Sequence, residues 1–261
     1  AAAAGSEDLS ARRWDFTYSG GSVPRPWEQF LGRWRAIGGR LEEAFGAGSR
    51  GAPFRLVDVG SNNGFFSLQA ALQHPNAEVI GIEGSAGVGN GKAGLEGGPA
   101  EILGTEAVRT HLQWARRLGL GNCRVAPEVW DYARVRALAA LGQPVCDVML
   151  LLSVVHHIHR LSRGQYPEAA AQEPDGFVEL LAKLLGLARL HYVELPGPRD
   201  LRRAYKAHGS QRGVLEAAAA ASGRAWRLAG PLHVAKWFGQ RELWELRAEQ
   251  WERPQLAPCE A

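Results

Sequence analysis

The chain has 261 residues, of which 46% are hydrophobic and 22% charged, with a formal net charge of +3. A chain of this length buries about 70–75% of its unfolded surface, so it needs no metal or disulfide scaffold, and its composition excludes wholesale disorder. The small net charge does not argue for nucleic acid by itself, and the excess of Arg over Lys reads as compositional bias rather than a selected basic face.

Cys123, Cys146 and Cys259 are widely separated and odd in number. They fit neither a disulfide framework nor a metal knuckle and point to a reducing compartment. No apolar run approaches the roughly 18–20 residues of a membrane helix. Leu180–Leu190 is short and broken by Lys183 and Arg189. The chain opens Ala1-Ala2-Ala3-Ala4 without Met, which reads as a processing point or an edge of the sequence. A soluble protein of the cytoplasm, or of a mitochondrial or plastid matrix if that start is a processing point, is the expectation.

In chain order, residues 1–25 read as a flexible leader, 26–250 as one domain and 251–261 as a tail. Trp27, Phe30, Trp34, Ile37, Leu41 and Phe45 recur at spacings of three and four, which predicts an amphipathic helix whose stripe packs on the core. From residue 54, short apolar runs alternate with helical periods. Strands are expected at Phe54–Val59, Glu78–Glu83, Cys123–Val129, Val145–Leu152 and Leu190–Leu195, with helices at Gly64–Gln73, Ala100–Leu118, Asp175–Leu187 and residues 211–221. Val145–Leu152, the longest apolar run, should be central and buried on both faces. Ala225–Ala229, Val234–Phe238 and Glu242–Leu246 suggest a closing antiparallel hairpin. Gly84–Gly98 reads as a mobile glycine-rich loop. The alternation implies an α/β fold with a doubly wound, mostly parallel sheet.

The informative run is Asp58-Val59-Gly60-Ser61-Asn62-Asn63-Gly64-Phe65-Phe66-Ser67, where a buried strand enters a small-residue turn that opens a helix. In an open parallel sheet, ligands bind beyond the carboxyl ends of the strands near such a turn. Gly60 lets backbone approach a ligand without a Cβ, and Asn62 or Asn63 can adopt a positive φ. Glu83 ends the second strand, 25 residues after Asp58, where an acid can accept hydrogen bonds from ribose hydroxyls. The three-glycine dinucleotide pattern is absent, because Asn62 stands where a second glycine would be.

Here the sequence resembles the class I S-adenosylmethionine-dependent methyltransferases. Asp58–Gly64 is similar to their first motif, and the segment Asp147–Ile158, ending Val154-Val155-His156-His157-Ile158, is similar to their fourth strand and the turn after it. The resemblance covers roughly residues 54–195 and, by topology, the closing hairpin. It implies a seven-stranded, Rossmann-like sheet and an S-adenosyl-L-methionine cofactor. It also implies that Gly60 and Gly64 face the methionine and sugar portion, that Asp58 holds the amino end directly or through the turn, and that Glu83 binds the ribose. Ser61, Asn62 and Ser153 complete the implied cofactor set, with adenine near Glu128, Val129 and Trp130.

His156 and His157 follow the fourth strand on the expected methyl-transfer side, and either could be a general base titrating near neutrality. Structural roles for both are the plainer reading. His157 with His159 lacks the acid or cysteine that would complete a metal site. Glu194 could orient a substrate or a histidine, but the plainer reading is a satisfied strand-end acid. Arg199, Arg202, Arg203, Lys206 and Arg212 form the densest basic stretch, which reads either as a phosphate-contacting surface or as the solvated face of a helix, so an RNA acceptor is allowed but not indicated. Trp226, Trp237, Trp244 and Trp251 either fill the hairpin core or anchor a protein partner. The expected function is methyl transfer to an unidentified O- or N-acceptor on a small molecule, RNA or protein. The alternative is a catalytically silent, methyltransferase-like structural subunit of a larger, organellar or other, assembly.

Overall fold

The computed structural model describes residues 28–84, 99–162, 164–167, 175–235 and 240–250. The leader, Trp27, most of the glycine-rich stretch, Trp237, Trp251 and the tail with Cys259 lie outside these residues.

The strands are β1 (Arg55–Val59), β2 (Glu78–Ile82), β3 (Cys123–Ala126), β4 (Val148–Leu152), β5 (Leu190–Glu194), β6 (Trp226–Ala235) and β7 (Arg241–Ala248). They form one sheet in the order β3-β2-β1-β4-β5-β7-β6. The first five are mutually parallel, whereas β7 runs antiparallel to both β5 and β6. The strand order reverses between β1 and β4, leaving a crevice at their carboxyl ends.

Side chains along β4 alternate between two cores, as the period of two requires. Met149 and Leu151 pack with Phe177, Leu180 and Leu184 of helix α7 (Asp175–Leu185) and Val214 and Leu215 of α9 (Gln211–Ala221). Val148 and Leu150 pack on the opposite face with Trp34, Ile37 and Leu41 of α1 (Glu28–Phe45) and Leu68 of α2 (Phe65–Gln73). The aromatic stripe of α1 is therefore core, and β4 is apolar on both sides because helices cover both.

The sequence departs from its expected elements where short segments carry weak periodicity. The helix expected at Ala100–Leu118 is two, α3 (Pro99–Leu103) and α4 (Glu106–Arg117), because Gly104 and Thr105 break it and the Thr105 hydroxyl donates to the Ile102 carbonyl at 2.7 Å. Three short helices follow strands without a sequence signal: α5 (Tyr132–Ala139), capped by Asp131 accepting from the Arg134 N–H, α6 (Val155–Leu161) and α8 (Arg202–His208). The run expected at Ala225–Ala229 and the first two residues of that expected at Val234–Phe238 merge into β6, with a register shift between Ala229 and His233, and the rest of the second run lies outside the described residues. Gly64 is not the first residue of α2 but its left-handed cap, with φ 83°.

Candidate functional site

The turn after β1 is held from below by β2. Gly60 and Ser61 both donate backbone N–H groups to the Ile82 carbonyl, at 2.8 and 3.0 Å, and Gly64 closes the turn by donating to the Ser61 carbonyl. Gly60 has φ 72° and Asn62 φ 51°, so Asn62 is the asparagine that takes the left-handed conformation. The Asn62 N–H then donates to Glu83 Oε2 at 2.6 Å. Turn and acid are thus one hydrogen-bonded unit, with Glu83 itself buried.

An open cleft lies above this unit. Its walls are Val59, Gly60 and Asn62 from the first turn, Glu83 and Gly84 from the second, and Glu128, Val129 and Trp130 after β3. The far wall is Ser153, Val154 and His157 after β4. Gly84 must lack a side chain, because a Cβ there would lie 2.8 Å from Val129 Cα. Trp130 Nε1 donates to Glu128 Oε2 at 3.1 Å, and Arg134 pairs with Glu128 at 2.5 Å, fixing that wall.

The glycines act differently from their expected roles. The Cβ position of Gly60 lies 2.6 Å from Val154 Cγ2, so this glycine serves the close packing of two cleft-lining turns as well as any ligand approach. Gly64 packs against the ring of His111 in α4. Asp58 does not line the cleft. It is buried and accepts from the Ser67 hydroxyl at 2.7 Å, and burial pushes its carboxyl up to about 7. Its contribution at this turn is therefore made from beneath. Ser61 is buried within the turn, and its hydroxyl approaches the Cβ position of Gly81.

The histidines need a correction. His157 lines the cleft, but His156 is buried behind it, with the two rings 4.0 Å apart. Burial first, then His157, Arg241 and Arg160, push His156 down to about 2, and burial first, then Arg160 and Arg241, push His157 down to about 4. Neither titrates near neutrality. Desolvation opposes the imidazolium, and no carboxylate stands close enough to reverse it; Asp200 only weakens the effect at His157.

Beside His157 the cleft rests on a buried polar network. Ser153 has φ 57°, a conformation that costs a non-glycine residue about 1–3 kcal/mol unless its surroundings impose it. Here they do. The Ser153 hydroxyl donates to Glu194 Oε1, its N–H donates to the Glu194 carbonyl at 2.9 Å, and Arg241 Nη1 donates to its oxygen at 2.6 Å. Arg33 Nη1 of α1 reaches the same Glu194 Oε1 at 3.1 Å, its guanidinium lying between the rings of Phe30 and Phe66. Glu194 is thus only half satisfied: Oε1 takes both partners, while Oε2 is buried with no hydrogen-bond partner among the described residues. Sequence reasoning missed Arg33 and Arg241. The available signal was Arg33 standing on the apolar face of α1, three residues after Phe30 and four before Ile37, where a cation requires a buried carboxylate.

Of the tryptophans in the described residues, Trp244 is buried and donates to Glu242 Oε2 at 3.0 Å, while Trp226 donates to the Ser222 hydroxyl and packs on His191. Both belong to the hairpin and its core. Among the described residues no group of three His, Cys, Asp or Glu could hold a metal ion, and no helix is long and apolar enough to cross a membrane.

No family model matches the chain, and no curated protein matches it. Among solved structures, WbdD in complex with the kinase inhibitor LY294002 is 19% identical over 85% of this chain and 41% of its own, with a TM-score of 0.51. Another structure of WbdD describes it as a bifunctional kinase-methyltransferase. Coclaurine N-methyltransferase bound to N-methylheliamine and SAH is 14% identical over 69% of this chain and 40% of its own, with a TM-score of 0.39. A SAM-dependent methyltransferase from Aquifex aeolicus is 15% identical over 75% and 81%, also at 0.39. The chain spans about two fifths of the length of WbdD. With five parallel strands, an antiparallel closing hairpin and the order β3-β2-β1-β4-β5-β7-β6, the chain has the fold of the class I S-adenosylmethionine-dependent methyltransferases.

Proposed function

We propose that the chain transfers a methyl group from S-adenosyl-L-methionine to an acceptor that enters beside His157. The observation that carries this reading is the Glu83–Asn62 unit, a buried carboxylate at the end of β2 tied at 2.6 Å to the turn after β1 and lining the same cleft. A carboxylate accepts up to about four hydrogen bonds, so Glu83 can hold the turn and a ribose diol together. Glu128, Val129 and Trp130 form the wall against which an adenine ring would lie, and the Gly84–Val129 approach supports a slot of that thickness.

The cofactor supplies the reactive methyl on a sulfonium, so the protein's task is alignment of donor and acceptor and exclusion of water. Ser153, held in its left-handed conformation by Glu194 and Arg241, fixes the floor between the cofactor turn and the acceptor side. His157, neutral at physiological pH, can accept a proton from an acceptor or simply shape the wall.

Calorimetry with S-adenosylhomocysteine tests the reading. Wild type should bind, and Glu83→Ala should bind at least tenfold more weakly, since each charge-assisted hydrogen bond is worth about 1.5–3 kcal/mol. Glu83→Gln, which retains an acceptor for the Asn62 N–H, separates loss of ribose contact from collapse of the turn. Equal affinity in all three proteins removes the ribose assignment. Binding without transfer of label to any component of a matched extract would favour the structural-subunit alternative.

A further inference from the structure

Beside the acceptor side of the cleft stand cations that form no ion pair among the described residues. Arg160 stands exposed on α6, one turn beyond the cleft-lining His157. Arg199, Arg202, Arg203 and Lys206 are exposed across the segment after β5, with Asp200 the acid among them. Among the described residues none of these five cations takes part in an ion pair. Like charges gathered without counter-charges repel one another and favour an anion that can approach several at once.

Two further observations connect this rim to the cleft. Leu152 at the end of β4 pairs with Glu194 at the end of β5, so the residues leading into α6 and those leading into α8 leave the sheet side by side; consistent with this, Arg160 lowers and Asp200 raises the proton affinity of His157, which burial depresses first. The segment is also anchored. Leu201 and Ala204 are buried against the core, and the Tyr205 hydroxyl donates to the Pro196 carbonyl at 2.7 Å, so Arg202, Arg203 and Lys206 project from a fixed α8 rather than from a loose loop. With its hydroxyl engaged and its ring half-buried, Tyr205 is not offered as a base-stacking platform, which leaves charge as the means of recognition.

We infer that the methyl acceptor carries phosphate groups, and that Arg160, Arg199, Arg202, Arg203 and Lys206 hold them while its reactive atom lies beside His157. The inference uses the methyl-transfer reading only to say what the bound molecule is for; the rim and its ligand class stand on their own measurement. Clustered phosphates belong equally to a nucleic-acid backbone and to a small phosphorylated acceptor, and the experiment separates these sources.

The probe is a fluorescein-labelled single-stranded RNA 12-mer, followed by anisotropy between 50 and 200 mM salt and competed with tripolyphosphate. Four or five phosphate contacts predict a log–log salt slope of about −3, at roughly 0.7 per contact on single strands. Arg202→Glu/Arg203→Glu should weaken binding at least tenfold with the melting temperature and S-adenosylhomocysteine affinity unchanged. Displacement by tripolyphosphate at equal phosphate concentration assigns the rim to a small phosphorylated acceptor, and resistance to it assigns a nucleic-acid backbone. Absence of binding, or binding indifferent to the charge reversal while S-adenosylhomocysteine binds normally, overturns the inference. Probe binding that depends on the rim in a protein that fails to bind S-adenosylhomocysteine removes the methyl-transfer reading and leaves the rim.

Discussion

The imidazole of His111 fills the place a side chain on Gly64 would take: a β-carbon there would lie 2.3 Å from His111 Cγ. The same ring stands 2.7 Å from the Cβ position of Gly81, so one fully buried histidine of α4 supports both the turn after β1 and the strand beneath it. Burial holds it neutral, pushed down to about 4, with Nε2 3.5 Å from Cys123 Sγ.

Gly64→Ala should therefore destabilise the fold twice over. The positive φ costs about 1–3 kcal/mol and the overlap with His111 about 1–3 kcal/mol more. Trimming the ring relieves the second part, so Gly64→Ala/His111→Ala should be more stable than the sum of the single changes by about 0.5–3 kcal/mol. Urea denaturation of the four proteins measures this coupling. Strict additivity would mean that the ring does not support the turn.

His156 and His157 give the acid side of the pH profile. Their folded values, about 2 and about 4, lie below the 6.5 of an unfolded histidine. The unfolded chain therefore takes up protons first, and stability that is whole above about 6.5 declines as pH falls towards 4. Turnover should stay level between pH 6 and 8 as far as these groups govern it. In NMR spectra of the labelled protein, the His157 Cε1 resonance should show no midpoint above pH 5.5. A midpoint near 6.5 would restore a titrating base at this position.

Glu194 joins α1 to the cleft floor. Its removal takes away the carboxylate that the Arg33 guanidinium, 2% exposed, meets at 3.1 Å. Glu194→Ala should cost about 3–5 kcal/mol, the usual penalty for breaking a buried ion pair from one side. Arg33→Met/Glu194→Leu should cost less than either single change, although Ser153 also loses a partner. Chemical denaturation decides, and a Glu194→Ala protein as stable as wild type would show that the pair is not coupled to the fold.

The central sheet was legible because its strands are long apolar runs bounded by glycine or polar residues. Leu56-Val57-Asp58-Val59 and Val148–Leu152 can be little else than buried parallel strands between covering helices. The turn was legible through Gly60, Asn62 and Gly64, and its acid through distance along the chain from Asp58. What escaped was contact between remote residues. Nothing local announces that Arg33 meets Glu194, 161 positions away, or that Arg241 reaches Ser153, 88 positions away. The histidines misled for a related reason. Spacing places two imidazoles after β4, but only packing tells that one is sealed behind the other and that both are desolvated.

The position of β7 between β5 and β6 has a consequence for the chain as it is made. Five parallel strands can pair as they emerge, yet the outer edge of β5 stays unsatisfied until Arg241–Ala248 has followed. At about 5–20 residues per second, that interval lasts seconds, with the backbone of Leu190–Glu194 presenting an open template for any other extended chain. A ribosome stalled before residue 241 would hold a nascent chain whose cleft also lacks Arg241 and whose sheet ends in an adhesive border. Its fate would be set by whichever strand arrived first.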